Sequence, residues 1–137
     1  VELSVELALA VVVIGVITYM TSKIPSATVK RIAEAIARAE GYYVEGSIPN
    51  VRNNPGDLRW GTTEITYFAT PEDGWNALYQ QVEKMLSGNS SLYRPDMTIE
   101  EIARIYAGPD PSDQENWKNN VSQALGVSPN TKLMEIV

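Results

Sequence analysis

The sequence predicts a mainly α-helical domain, formally α+β because of one small β-hairpin, preceded by a separate hydrophobic helix at the amino terminus. Three observations carry this expectation. Several segments keep apolar residues at helical spacing between good capping residues. One segment instead alternates and is rich in Thr and aromatic residues. Between Glu6 and Lys23 no charge interrupts LALAVVVIGVITYMTS. The chain of 137 residues therefore divides into a hydrophobic segment, residues 1–24, and a domain, residues 25–137, large enough for one core but not for two.

The amino-terminal stretch is short for a span that needs about 20 apolar residues, and residues such as Val5 and Ile24 extend it. A membrane anchor through residues 5–22 is the first reading, and a buried helix packed against partner subunits is the second. Tyr19 suits an interfacial belt with Lys23 just outside it. The stretch lacks the basic start and small-residue cleavage site of a secretory signal. Lys23, Lys30, Arg31 and Arg38 follow it while Glu2 and Glu6 precede it, a bias that favours a cytoplasmic side for the domain.

The first helix of the domain follows Ser26, with Val29, Ile32, Ala33 and Ile36 as its apolar stripe. At about 100° per residue, Glu40 lies about 20° from Val29 around the axis, whereas Glu34 falls about 140° away on the wet side. A carboxyl held among apolar side chains has its ionised form disfavoured and its pKa raised, which suits a general acid at neutral pH. The alternative is a boundary residue fraying into solvent where Gly41 ends the helix.

Thr70, Pro71 and Asp73 open the next helix, and Trp75, Leu78, Tyr79, Val82, Met85 and Leu86 keep its period up to Gly88. Trp75 reads as core rather than as an exposed platform. Thr98 and Glu101 form a capping-box pattern ahead of Ile102, Ala103, Ile105 and Tyr106, ending at Gly108-Pro109. The acidic pair Glu100-Glu101 suits a helix amino terminus and needs no catalytic part. A further helix begins near Ser112, carries Trp117, Val121, Ala124 and Leu125, and stops at Gly126, and Ser128-Pro129 opens a last short one. Between Pro55 and Thr70, LRWGTTEITYFAT sets Ile65, Tyr67 and Ala69 against Glu64, Thr66 and Phe68, the pattern of a short hairpin kinked at Gly61.

Composition removes whole classes of chemistry. With neither His nor Cys, there are no Ser-His-Asp or Cys-His nucleophiles, no disulfides and none of the usual zinc ligand sets, so no metal or cofactor is expected and catalysis falls to carboxylates. A net charge of −6 argues against nucleic acid as a partner.

The stretch AEGYYVEGSIPNVRNNPGDLRW, with Glu40, Tyr42 and Tyr43 followed by the Asn53-Asn54-Pro55-Gly56-Asp57 turn, resembles a family of lysozyme-like peptidoglycan-cleaving domains of phages and bacteria, the lytic transglycosylases and phage muralytic enzymes. The resemblance extends through Thr70-Pro71-Glu72-Asp73-Gly74-Trp75 and Ile105-Tyr106-Ala107-Gly108, covering roughly residues 27 to 130. It implies a lysozyme-like fold and cleavage of the β-1,4 bond between N-acetylmuramic acid and N-acetylglucosamine, with Glu40 as general acid/base. A virion-associated, membrane-anchored enzyme reconciles a domain on the cytoplasmic side with a substrate outside the membrane, and would have peptidoglycan strands and other virion proteins as partners.

Asp57 is the candidate second carboxylate of a hydrolase, a muramidase, and stands where related sequences often have Asn. It also reads as an Asx-type turn residue. Without a second carboxylate the expected reaction is that of a lytic transglycosylase. A silent wall-binding or virion structural module is the non-enzymatic alternative. Asn53 and Asn54 are candidates for binding acetamido groups, or for locking their own turn. Tyr42, Tyr43 and Trp60 are candidate sugar platforms. Tyr106 either orients Glu40 through its hydroxyl or continues an apolar stripe.

Overall fold

The computed structural model describes residues 24–61 and 63–137. The domain is mainly α-helical: α1 is Ala27–Ala39, α2 Ile48–Val51, α3 Pro71–Ser87, α4 Ile99–Tyr106 and α5 Pro111–Leu125, followed by a 3₁₀ turn at Leu133–Glu135. Among the described residues no helix is long and apolar enough to cross a membrane. The hydrophobic stretch of residues 5–22 lies outside them.

Local chemistry starts the helices where the sequence signals it. The Ser26 and Thr70 hydroxyls accept from the Val29 and Asp73 amides at 3.1 and 3.2 Å. Thr98 and Glu101 close a full capping box. Asp110 caps α5 through the Ser112 amide at 2.8 Å, so the helix begins at Pro111. The apolar faces then meet: α5 packs against both α1 and α4, and α1 also packs against α3. Ile32, Ile36, Leu78, Val82, Met85, Ile99, Ile102, Trp117, Val121 and Leu125 share one core, which Leu133 and Ile136 close from the carboxyl end. The short α2, capped by Ser47 with Pro49 in its first turn, carries no apolar period that would announce it.

The expected hairpin between Pro55 and Thr70 does not form, and among the described residues the sole bridge is an isolated antiparallel pair, Thr98 with Lys132. Among the described residues one backbone bond spans the segment, Thr66 N–H to the Leu58 carbonyl at 2.9 Å. Side chains take the acceptors that a ladder would have used. The Asn54 amide donates to the Leu58 and Thr66 carbonyls, each at 2.9 Å. Asn53 donates to the Phe68 carbonyl at 2.9 Å and Arg52 to that of Ile65. A two-stranded ribbon is marginal on its own, and these bonds satisfy the backbone without it. Phe68 turns inward onto Leu58 and Ala77, forming a small second core, while Tyr67 stays exposed. This loop sits hard against α3: a Cβ at Gly74 would lie 1.7 Å from the Asn53 carbonyl oxygen.

Candidate active site

Glu40 owes its position to the way α1 ends. It is the C-cap residue, and Gly41 follows in the left-handed region at φ +78°. The Gly41 amide reaches the Arg38 carbonyl at 3.2 Å and the Tyr42 amide reaches that of Ala37 at 3.0 Å, the Schellman pattern that satisfies the last carbonyls of a helix. The turn stops the helix on the residue that continues its apolar stripe, so Glu40 points inward rather than fraying into solvent.

It opens onto a cleft of about 550 Å³. One wall is Gly56 to Trp60. The other is Ile105 to Pro109 at the end of α4, and Leu92 and Tyr93 close one side. Glu40, Asp57 and Arg59 are the charged residues lining it. A second cleft of about 560 Å³ runs along the outer face of α1 beside Lys30, Arg31 and Arg38. Its only carboxylate, Glu34, is bound to Arg38 at 3.2 Å and to the Tyr43 hydroxyl at 2.8 Å. Glu34 is thus tied up in surface contacts, whereas Glu40 opens into its cleft.

Burial is the main reason that the Glu40 pKa is pushed up to about 8, and the neighbouring Asp57 charge pushes in the same direction. A hydrogen bond from Trp117 and the Arg59 charge act against them, while Asp113 adds a smaller upward push. Glu40 is therefore mostly protonated at neutral pH, a proton donor facing a groove. The linkage has a definite sign. A carboxyl raised above its unfolded value stabilises the fold fully at acid pH, and that contribution is lost as pH rises from about 4.5 through about 8.

Asp57 has backbone φ +53°, a conformation that Asn and Asp tolerate better than other non-glycine residues. Its amide closes the turn on the Asn54 carbonyl at 3.1 Å. Burial raises its pKa, opposed by Arg59 and Arg52. Its Oδ1 is buried without a hydrogen-bond partner. Asp57 is thus a turn residue by backbone and a cleft carboxylate by side chain.

The other expected site residues separate. Trp60 lines the cleft, half-exposed and edge-on to Phe68 at 5.3 Å. Tyr106 also lines it, but its hydroxyl donates to the Gly56 carbonyl at 2.7 Å instead of reaching Glu40, which ties the two walls together. Asn54 is fully buried, its amide spent on Leu58 and Thr66 and its oxygen on the Leu58 amide. Asn53 is likewise engaged by Phe68. Tyr42 and Tyr43 lie away from the cleft: Tyr42 packs edge-on to Trp75 at 5.5 Å, and Tyr43 sits under Arg38 at 5.9 Å. Trp75 is partly buried against the core.

Three residues around Glu40 carry no sequence signal of a site role. Arg59 looks like any loop arginine, Tyr93 lies in an irregular segment, and Trp117 reads as one apolar position on α5. The Trp117 indole N–H nevertheless donates to Glu40 Oε1 at 3.0 Å. The Tyr93 hydroxyl is pushed up to about 12 by burial and by Glu40, and burial, with Glu40 in second place, holds that of Tyr106 well above the usual tyrosine value. Both phenols stay neutral at physiological pH. Among the described residues no three carboxylates gather into a metal site. No family model, curated protein or solved structure matches the chain.

Proposed function

We propose that the domain cleaves the β-1,4 glycosidic bond between N-acetylmuramic acid and N-acetylglucosamine in peptidoglycan, acting as a lytic transglycosylase with Glu40 as acid and then base. The observation that carries this reading is a carboxyl kept protonated near neutral pH and lining a cleft of about 550 Å³. The identity of the sugars comes from the resemblance of the Glu40-Gly41 and Asn53 to Leu58 segments to peptidoglycan-cleaving domains.

In the first step the Glu40 proton passes to the bridging oxygen as the C1–O bond of the muramyl residue breaks. The ring carbon acquires oxocarbenium character. In the second step the muramyl C6 hydroxyl attacks C1 and gives its proton to the Glu40 carboxylate. A 1,6-anhydro ring forms and the acid is restored, so one residue suffices for both proton transfers. Trp60 at the lip of the groove offers an aromatic face for a sugar.

A second reading, hydrolysis by a muramidase, is favoured by one observation: Asp57 is a second carboxylate lining the same cleft, close enough for its charge to raise Glu40. A hydrolase of this kind divides its work between two carboxyls. Anchoring through residues 5–22 in a phage membrane or particle remains part of the proposal. It rests on the uncharged amino-terminal stretch and the basic residues after it.

Incubation of purified sacculi with the wild-type protein and with Glu40→Gln tests both readings. The wild type is expected to release soluble muropeptides one water lighter than hydrolytic products. Glu40→Gln imitates the protonated carboxyl, so it should fold normally and lose at least about a hundredfold in release rate. Products of full hydrolytic mass would favour the muramidase. Binding to sacculi with no release by either protein would overturn cleavage altogether.

A further inference from the structure

We propose that Trp117 is the positioning residue for Glu40, its indole N–H holding one carboxyl oxygen so that the other presents the proton to the cleft; this rests on the reading of Glu40 as the acid. The indole nitrogen is a donor only. An oxygen that accepts from it at 3.0 Å cannot point its own proton along the same line, so the acidic proton belongs on Oε2. The two otherwise equivalent oxygens become a fixed acceptor and a fixed donor.

The indole is itself held in place. Trp117 is 5 % exposed, and its ring stacks on Tyr106 at 5.1 Å with an interplanar angle of 28°. Tyr106 in turn donates to the Gly56 carbonyl across the cleft. A path of contacts therefore runs from the loop wall through Tyr106 and Trp117 to the acid. The groups facing Glu40 are Asp57 and Arg59 from the loop, Asp113 and Trp117 from α5, Tyr93 from the segment after α3 and Tyr106 from α4. Among the described residues Trp117 supplies the hydrogen bond to that carboxyl.

The bond strengthens when Glu40 ionises, because a charged acceptor binds an N–H more tightly than a neutral one. It thus opposes burial, keeping the acid from becoming too weak to give up its proton. During the reaction the proton leaves Oε2 for the glycosidic oxygen while Oε1 stays on the indole. The next proton is accepted at the same Oε2, with no rotation of the carboxyl.

Trp117→Phe keeps an aromatic ring beside Tyr106 and removes the donor. Its kcat on sacculi should fall about tenfold or more with little change in KM. The alkaline limb of its pH profile should move up from about 8. A purely structural role would lower thermal stability and leave that limb in place. A measurement on the wild type covers a variant that fails to fold: the Trp117 indole 15N–1H signal should titrate with a midpoint of about 8 and stop doing so in Glu40→Gln. A titrating indole in a protein that leaves sacculi intact would support the pairing and overturn the cleavage reading. Cleaved sacculi together with an indole signal flat across that pH range, or an unshifted Trp117→Phe limb, would overturn this inference and leave the cleavage reading standing.

Discussion

On one side of the cleft, Glu40, Tyr106 and Trp117 are set by helices whose apolar faces bury one another. On the other, Gly56, Asp57 and Trp60 ride on a loop whose backbone is satisfied by Asn53, Asn54 and Arg52 side chains. The two walls meet at the Tyr106 hydroxyl and the Gly56 carbonyl. Helix packing is non-directional and collective, so it can desolvate an acid and hold its pKa up. Hydrogen bonding fixes individual backbone groups, so it can hold a loop open beside a groove with few apolar residues. The difference separates two contributions: the packed wall sets the protonation of Glu40, and the bonded wall sets the shape of the cleft.

Substitution on each wall should separate them. The largest effect is expected from Ile102→Ala, which removes a side chain 1 % exposed in the helical core at a cost of about 2–5 kcal/mol. It should lower the melting temperature of the whole domain and weaken hydrogen-exchange protection in α1, α4 and α5 together. Asn54→Ala should cost less, about 2–3 kcal/mol, by leaving the Leu58 amide and the Thr66 carbonyl unpartnered. Its exchange signature should be local, confined to the loop after α2. If Asn54→Ala unfolds the helices as broadly as Ile102→Ala does, the two walls are one cooperative unit and the contrast fails.

The same division governs what could be read from the sequence. Helix starts at Ser26, Thr70 and Thr98 and stops at Gly88 and Gly126 were legible because a cap and its partner lie within a few residues of each other. Glu40 was legible for a related reason: eleven steps of helical rotation return it to the face of Val29. The loop wall was misread as a hairpin because alternation reports which residues could pair, not which side chains will take the carbonyls first. Asn54 and Thr66 are twelve residues apart with no period linking them. Trp117 reaches Glu40 across seventy-seven residues, and only the packing of α5 on α1 brings them together. Tyr42 and Tyr43 were read as sugar platforms because they lie in the irregular stretch expected to line the groove, but Tyr42 packs on Trp75 and Tyr43 under Arg38, away from the cleft residues.

The central claim is that packing holds Glu40 protonated at neutral pH, with Asp57 adding a smaller push. Its most direct test is the carboxyl 13C titration of Glu40 in the wild type and in Asp57→Asn. A wild-type midpoint near 8, moved downward but kept well above 4.5 in the variant, is the expected result. A wild-type midpoint near the ordinary glutamate value of 4.5 would leave the cleft without a proton donor and contradict the account.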